Sequence, residues 1–316
     1  MPEVGSFSIA PLDIPADSSL AKELPRLKRH LKSESARLQE WHREGADGRK
    51  VCAARSAVID TLLATLFDWT LDTFEPKRSE RKLTMSLVAI GGYGRSELNP
   101  HSDIDFMLLH SGTTPSVTRI FNHELIEKLT GPGGLIYTLY DLGMKVGYSV
   151  RNIQDAINVA NDDMQTKTSL IESRLISGDA GLFEQVQKRV EVKCVRSHID
   201  DYLQMRIADQ DARRVKFGNS ALLQAPNIKN GCGGLRDYQN LLWMTHFKYS
   251  TRTLAELEAQ EMIRPNNRAQ LEEGYGFLLR VRNELHYQTK RPSDDLHKGL
   301  QPKVAWQLGY KDRSPA

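Results

Sequence analysis

The sequence predicts an α+β protein, a small mixed β-sheet flanked by helices and followed by a mainly α-helical domain. Three observations carry this. Two amphipathic stretches precede anything strand-like. Short apolar runs bounded by glycines then fill the region from residue 85 to 144. After Val150 helical periodicity returns almost to the end. A chain of 316 residues has room for two domains. The expected division is an N-terminal irregular and helical segment over 1–54, the sheet-bearing domain over 55–155 and the helical domain over 156–316.

Residues 1–17 are rich in Pro, Ser and Asp and read as irregular. Leu20, Leu24, Leu27 and Leu31 recur at helical spacing, as do Val58, Leu62, Leu66 and Trp69, with a break at Asp47-Gly48. Met85–Ile90, Ile104–Leu109 and Ile136–Met144 are the three expected strands. Between the last two, Val117–Leu129 reads as a helix that places Ile120, Leu125 and Leu129 in the core. Met164, Thr168, Ile171 and Leu175 share one face of a further helix, expected to stop at Gly178-Asp179. Ile199, Leu203 and Ile207 mark another. A glycine-rich loop, Pro226–Asp237 (PNIKNGCGGLRD), interrupts the helices, which resume over Tyr238–Tyr249 and Leu271–Tyr287.

Composition excludes several classes. A formal net charge of +3 is too small to suggest a nucleic-acid or membrane partner. Three scattered cysteines, Cys52, Cys194 and Cys232, form no CxxC pair, which argues against a disulfide framework or zinc site and fits a reducing compartment. The N-terminus lacks the pattern of a signal peptide, and no apolar run approaches membrane-spanning length, so the expected location is cytoplasmic.

The stretch Gly91–Asp105, GGYGRSELNPHSDID, carries the chemistry. Asp103 and Asp105 stand one residue apart at the head of a strand, so both carboxylates face one side while Ile104 points into the core. Two such carboxylates repel one another unless a cation sits between them. Gly91 and Gly92 end the preceding strand and let backbone N–H groups approach a phosphate closely. Arg95 and Ser102 add a charged and a neutral donor. Metal and triphosphate are therefore expected together, with hard oxygen ligands holding the ion. No P-loop motif occurs, and a strand rather than a helix follows the glycines, unlike a dinucleotide fold.

With these residues in hand, GGYGRSELNPHSDID resembles the signature of the polymerase-β-like nucleotidyltransferases, in the form used by bacterial PII-protein uridylyltransferases (uridylyl-removing enzymes). Gly147–Arg151 (GYSVR), Leu170–Asp179 (LIESRLISGD), Gly233–Gln239 (GGLRDYQ) and Pro302–Tyr310 resemble further segments of that family in the same order, so the likeness covers residues 55–316. The resemblance implies transfer of UMP from UTP to a tyrosine of the nitrogen-regulatory PII protein, with release of pyrophosphate. It implies Mg²⁺ or Mn²⁺ held by Asp103 and Asp105, and triphosphate contacts from Gly91, Gly92 and Ser102. A third carboxylate from a later strand is usual in the superfamily. Asp141 is the candidate, against the alternative of a strand-edge Asp with no role, and Lys145 stands where family members often carry an acid.

In PNIKNGCGGLRD, Lys229 or Arg236 would reach the nucleotide if the loop closes over it. Otherwise Arg236 pairs with an acid and Asp237 caps the next helix. Arg280, Arg282 and His286 line a helix with Leu278 and Leu285 and read as buried ion pairs or solvent contacts rather than ligand contacts. The related enzymes also carry a phosphohydrolase domain with a His-Asp pair. No such dipeptide occurs here, so neither uridylyl removal nor C-terminal ligand sensing is expected. Two other functions fit the same residues. One is a related adenylyltransferase acting on another protein, such as glutamine synthetase. The other is an inactive nucleotide- or PII-binding module.

Overall fold

A computed structural model describes residues 3–4, 7–75, 83–112 and 124–311. By internal contacts the chain divides into two units. One comprises Met1–Arg37, Ala53–Leu98 and Ser102–Cys194; the other comprises Leu38–Cys52, Asn99–His101 and Val195–Ala316.

The first unit is built on a four-stranded sheet. Its strands are β3 (Met85–Ala89), β4 (Ile104–His110), β5 (Val146–Asn152) and β6 (Arg174–Gly178), in the spatial order β5-β4-β3-β6. β3 pairs antiparallel with both β4 and β6, whereas β4 and β5 run parallel, so the sheet is mixed as expected. A parallel pair requires a crossover. Among the described residues, two helices, α4 (Glu124–Thr130) and α5 (Leu135–Asp141), lie in that connection.

Alternation along the strands sorts the two sheet faces. Met85, Leu87, Ala89, Ile104, Phe106 and Leu108 join the main hydrophobic cluster. Helices α1 (Leu20–Arg43) and α2 (Gly48–Asp72) supply Leu20, Leu27, Leu62 and Leu66 to it, and α4 and α5 add Leu125, Leu129, Leu135 and Leu139. On the opposite face Val88, Met107 and Leu109 are also buried. Here α6 (Ile153–Asp162), α7 (Met164–Ile171) and α8 (Ala180–Val190) follow β5, and α8 touches β3 and β4. Burying both faces explains why β3 and β4 read as near-continuous apolar runs.

Three expectations are corrected. Ile136–Met144 is not a strand, because its first part is α5. Leu135, Ile136 and Leu139 are the buried positions, a helical spacing, and Gly143 follows at φ +77°. The third strand is instead β5, seven residues too polar and too glycine-interrupted to stand out. The helix through Leu175 ends at Ile171, and Arg174–Gly178 pairs with the edge of β3, satisfying backbone groups that the edge would leave open. Residues 1–17 are not wholly irregular: β1 (Glu3–Val4) and β2 (Phe7–Ser8) form a short antiparallel pair. The guanidinium of Arg37 sits over Phe7 and donates to Ser8 O, which fastens this segment to α1. Of the expected 117–129 helix, residues 117–123, Ile120 among them, lie outside the described residues; Leu125 and Leu129 are buried.

The second unit is helical. Its helices are α9 (Ile199–Phe217), α10 (Leu235–Tyr249), α11 (Leu254–Ala259), α12 (Pro265–Thr289) and α13 (Gln301–Gln307), with the ends of α1 and α2 that meet at the Asp47-Gly48 break. Aromatic stacking locks these helices pairwise. Tyr202 of α9 lies on Phe247 of α10, and Tyr238 of α10 lies on Tyr275 of α12. Among the described residues no helix is long and apolar enough to cross a membrane.

Candidate functional site

The site forms where the end of β3 meets the start of β4. The antiparallel ladder continues one step beyond β3, with Ile90 N–H donating to Asp105 O at 3.0 Å. The glycine turn and the acidic pair are therefore neighbours in space, as their spacing in sequence required. Asp103 and Asp105 are both exposed, while Ile104 between them is 4% exposed and belongs to the core. Parallel register sets Gly147 of β5 level with Asp105. The Asp105 carboxylate lies so close over Gly147 that a Cβ there would collide with Oδ1. Glycine at 147 is what lets the carboxylate lie flat on the sheet.

Gly91–Gly94 form a single helical turn, α3, directly after β3. Gly91 sits at φ +58°, a conformation that side chains with a Cβ resist. The turn is held from below. Tyr93 is 1% exposed and donates its hydroxyl to Asp60 Oδ1 at 2.6 Å, and Arg174 of β6 grips both oxygens of the same Asp60. Burial, then the Asp60 charge, pushes the Tyr93 phenol well above its ordinary pKa, so it remains a neutral donor. Arg95, expected to serve phosphate, bonds to Glu97 at 2.7 Å and to Glu172 at 2.6 Å. In that position it ties the turn to the segment after α7. Ser102 is half-buried in the loop just ahead of Asp103.

Part of that loop belongs to the helical unit. Asn99 is fully buried, donates to Asn283 Oδ1 at 2.7 Å and accepts from the Arg282 guanidinium, which also pairs with Asp294 at 2.6 Å. His101 N–H donates to His286 Nδ1 at 3.2 Å. Arg282 and His286 are thus structural contacts, in line with the sequence reading.

Asp105 lines two clefts. One holds about 480 Å³ and is lined by Asp103, Asp105, Tyr140, Met144, Lys145, Val146 and Gly147. The other holds about 290 Å³ and runs from Ile90 and Asp105 past Ser149 and Arg151 to α7. Asp141 closes α5 and is exposed. Its assignment to a strand fails with the strand itself. Lys145, at the head of β5, lines the cleft instead. Among the described residues no three His, Cys, Asp or Glu side chains gather as a metal-holding group, so Asp141 is not brought to the pair.

Two carboxylates on one face nevertheless suit Mg²⁺. That ion keeps few protein ligands and completes its octahedron with substrate phosphates and water. Sequence reasoning missed Gly147, Ser149 and Arg151, because β5 was recognised as the segment GYSVR and not as a strand. Period-2 alternation over 147, 149 and 151 was the signal available.

Lys229 and Arg236 lie in the second unit, in the turn that opens α10. Arg236 N–H donates to Lys229 O at 2.8 Å, and the Arg236 side chain sits over Trp243. Asp237 accepts from Gly233 N–H at 2.9 Å and pairs with Arg213 and Arg214. The acid of GGLRD therefore folds its own glycine turn.

Comparison with known proteins follows the same lines. Residues 201–316 match the family model described as GlnD PII-uridylyltransferase. The chain is 32% identical over 273 residues to a bifunctional uridylyltransferase/uridylyl-removing enzyme of Rhodospirillum rubrum. It is 30% identical over 274 residues to the protein of the same name from Caulobacter vibrioides. Each alignment covers 86% of this chain and 28% of the relative, so the chain spans little more than a quarter of those proteins.

Proposed function

We propose that this chain, similar over residues 201–316 to the GlnD PII-uridylyltransferase family model and over most of its length to two bifunctional uridylyltransferase/uridylyl-removing enzymes, carries out metal-dependent transfer of UMP from UTP to a tyrosine hydroxyl of a PII signalling protein, releasing pyrophosphate. The observation that carries this reading is the pair Asp103 and Asp105, both exposed and lining one cleft beside the Gly91-Gly92 turn. Asp103 and Asp105 would hold Mg²⁺ or Mn²⁺ with the triphosphate oxygens. The bound ion would neutralise phosphate charge and stabilise the pyrophosphate as it leaves.

The rest falls to the chain itself. N–H groups of the glycine turn orient the phosphates. Ser102 adds a hydroxyl donor at the approach to the acids. Buried Met107 and Leu170 wall the smaller cleft with apolar surface, which strengthens the charge interactions made there. Because Asp105 borders two clefts, one can take the nucleotide and the other the acceptor. The glycine-turn side suits the nucleotide, and the wider Tyr140–Lys145 side suits the acceptor.

The test is incubation with α-labelled UTP or ATP, Mg²⁺ and PII protein. Label entering PII from UTP, and lost on adding a chelator, is the expected result. Label from ATP alone would instead identify an adenylyltransferase. Failure of transfer from either nucleotide to any acceptor, with Asp103→Ala binding nucleotide as well as the unaltered chain, would leave a binding module.

A further inference from the structure

The smaller cleft beside Asp105 contains a side chain that the transfer chemistry leaves unused. Arg151 lies on the same face of β5 as Gly147 and Ser149, two alternations beyond the residue level with Asp105. It is half-buried, yet among the described residues its guanidinium makes no hydrogen bond and no ion pair. Asp163 lines the same cleft, but its carboxylate caps α7, accepting from Thr166 N–H at 2.6 Å. Burial pulls the Arg151 guanidinium below its ordinary pKa, and the fields of Asp155 and Asp163 push it back only in part. A half-buried guanidinium that bonds to no neighbour keeps its donors for whatever enters the cleft.

The position says which part of the ligand. Four residues of strand place the Arg151 backbone about 13 Å from the level of Asp105. That is beyond phosphates clasped between the glycine turn and the acidic pair, but within the length of a nucleoside triphosphate. We infer that Arg151, with Ser149 and the α7 edge at Gln165 and Ser169, receives the nucleoside end of the substrate and donates to a base carbonyl. This rests on the nucleotidyl-transfer reading above. A guanidinium offers donors and no acceptor. Uracil presents two carbonyl oxygens; adenine offers only ring nitrogens, and on its N1 and N7 edges an amino donor stands beside the acceptor. Arg151 therefore favours uracil over adenine.

Calorimetric binding of UTP, ATP and inorganic tripolyphosphate, each with Mg²⁺, tests this on the full chain and on Arg151→Met and Arg151→Lys. The unaltered chain should bind UTP more tightly than ATP. Arg151→Met should weaken UTP by about tenfold or more while leaving tripolyphosphate unchanged, because a charge-assisted bond to the base is lost and the phosphate contacts are not. Arg151→Lys keeps the charge and the fold, shown by an unchanged melting temperature, and should lose part of the preference for UTP over ATP. Parallel weakening of tripolyphosphate would make Arg151 a phosphate ligand and overturn the inference. So would UTP affinity indifferent to both substitutions. If the unaltered chain binds neither UTP nor tripolyphosphate, the transfer reading falls and this inference with it.

Discussion

The glycine-rich turns at Gly91-Gly92 and Gly233-Gly234 are each followed by acids, and they use those acids in opposite ways. After Gly91-Gly92 the carboxylates of Asp103 and Asp105 stand exposed at a cleft mouth, and the turn is steadied by other groups: Tyr93, Asp60, Arg174 and Arg95. After Gly233-Gly234 the carboxylate of Asp237 bonds back to Gly233 N–H and to two arginines, so the acid itself steadies the turn. A motif of glycines and acids thus does not announce chemistry by composition. What separates the two is whether other residues support the turn while its acids line a cleft.

Substitutions can break this contrast. The largest effect belongs to Asp103→Asn and Asp105→Asn. Each should reduce nucleotidyl transfer by about a thousandfold or more, since the charge that holds the ion is removed. Both should leave the melting temperature within a degree or two, because both side chains are exposed. Gly147→Ala comes next. Its methyl must displace the Asp105 carboxylate, and a misplaced group costs transfer by about a hundredfold, read as a fall in kcat at nearly unchanged stability.

A buried acid should behave in the reverse sense. Glu284 is fully buried beside His42 and Arg43. Burial alone would raise its pKa, but His42 Nε2 at 3.3 Å, a hydrogen bond from Gln288 at 2.7 Å and the Arg43 charge bring it below the ordinary carboxylate value of 4.5. A lowered folded-state pKa means that its stabilisation is full above that ordinary value and is lost as pH falls through the lower one. Glu284→Gln should therefore cost about 1–3 kcal/mol in urea titrations at neutral pH, a difference that shrinks as the buffer is taken below pH 4.5. A pH-independent difference would show that the carboxylate's charge contributes nothing. The smallest effect is Asp237→Ala, about 1–2 kcal/mol of stability by the same titration, because its ion pairs are partly solvated.

Much of this was legible from sequence. Apolar runs ending in glycine gave β3 and β4, and the i, i+2 spacing of Asp103 and Asp105 around Ile104 gave the geometry of the pair. Helices α1, α2, α9, α10 and α12 followed from their periodicity. The reading failed where tertiary pairing overrides local pattern. Leu135–Asp141 is apolar enough for a strand, and only its packing makes it a helix. Val146–Asn152 is half-exposed and its apolar positions, Val146, Tyr148 and Val150, alternate over only a few residues, so its place beside β4 was passed over, and Ser149 and Arg151 with it. Arg174–Gly178 becomes a strand only because β3 has an edge to fill. Arg95 looked like a phosphate donor beside the glycines, yet Glu97 and Glu172, one of them far along the chain, claim it.

The buried Asn99 has a consequence for how the protein is made. Its hydrogen-bond partners, Arg282 and Asn283, emerge from the ribosome more than 180 residues after it. The loop that leads into Asp103 cannot take its final hydrogen bonds until α12 has been synthesised. Until then the approach to its acids lacks those bonds. Cutting the chain after the sheet would produce the same state permanently. The shortest segment that carries the complete loop therefore extends through α12, even though the signature itself ends at residue 105.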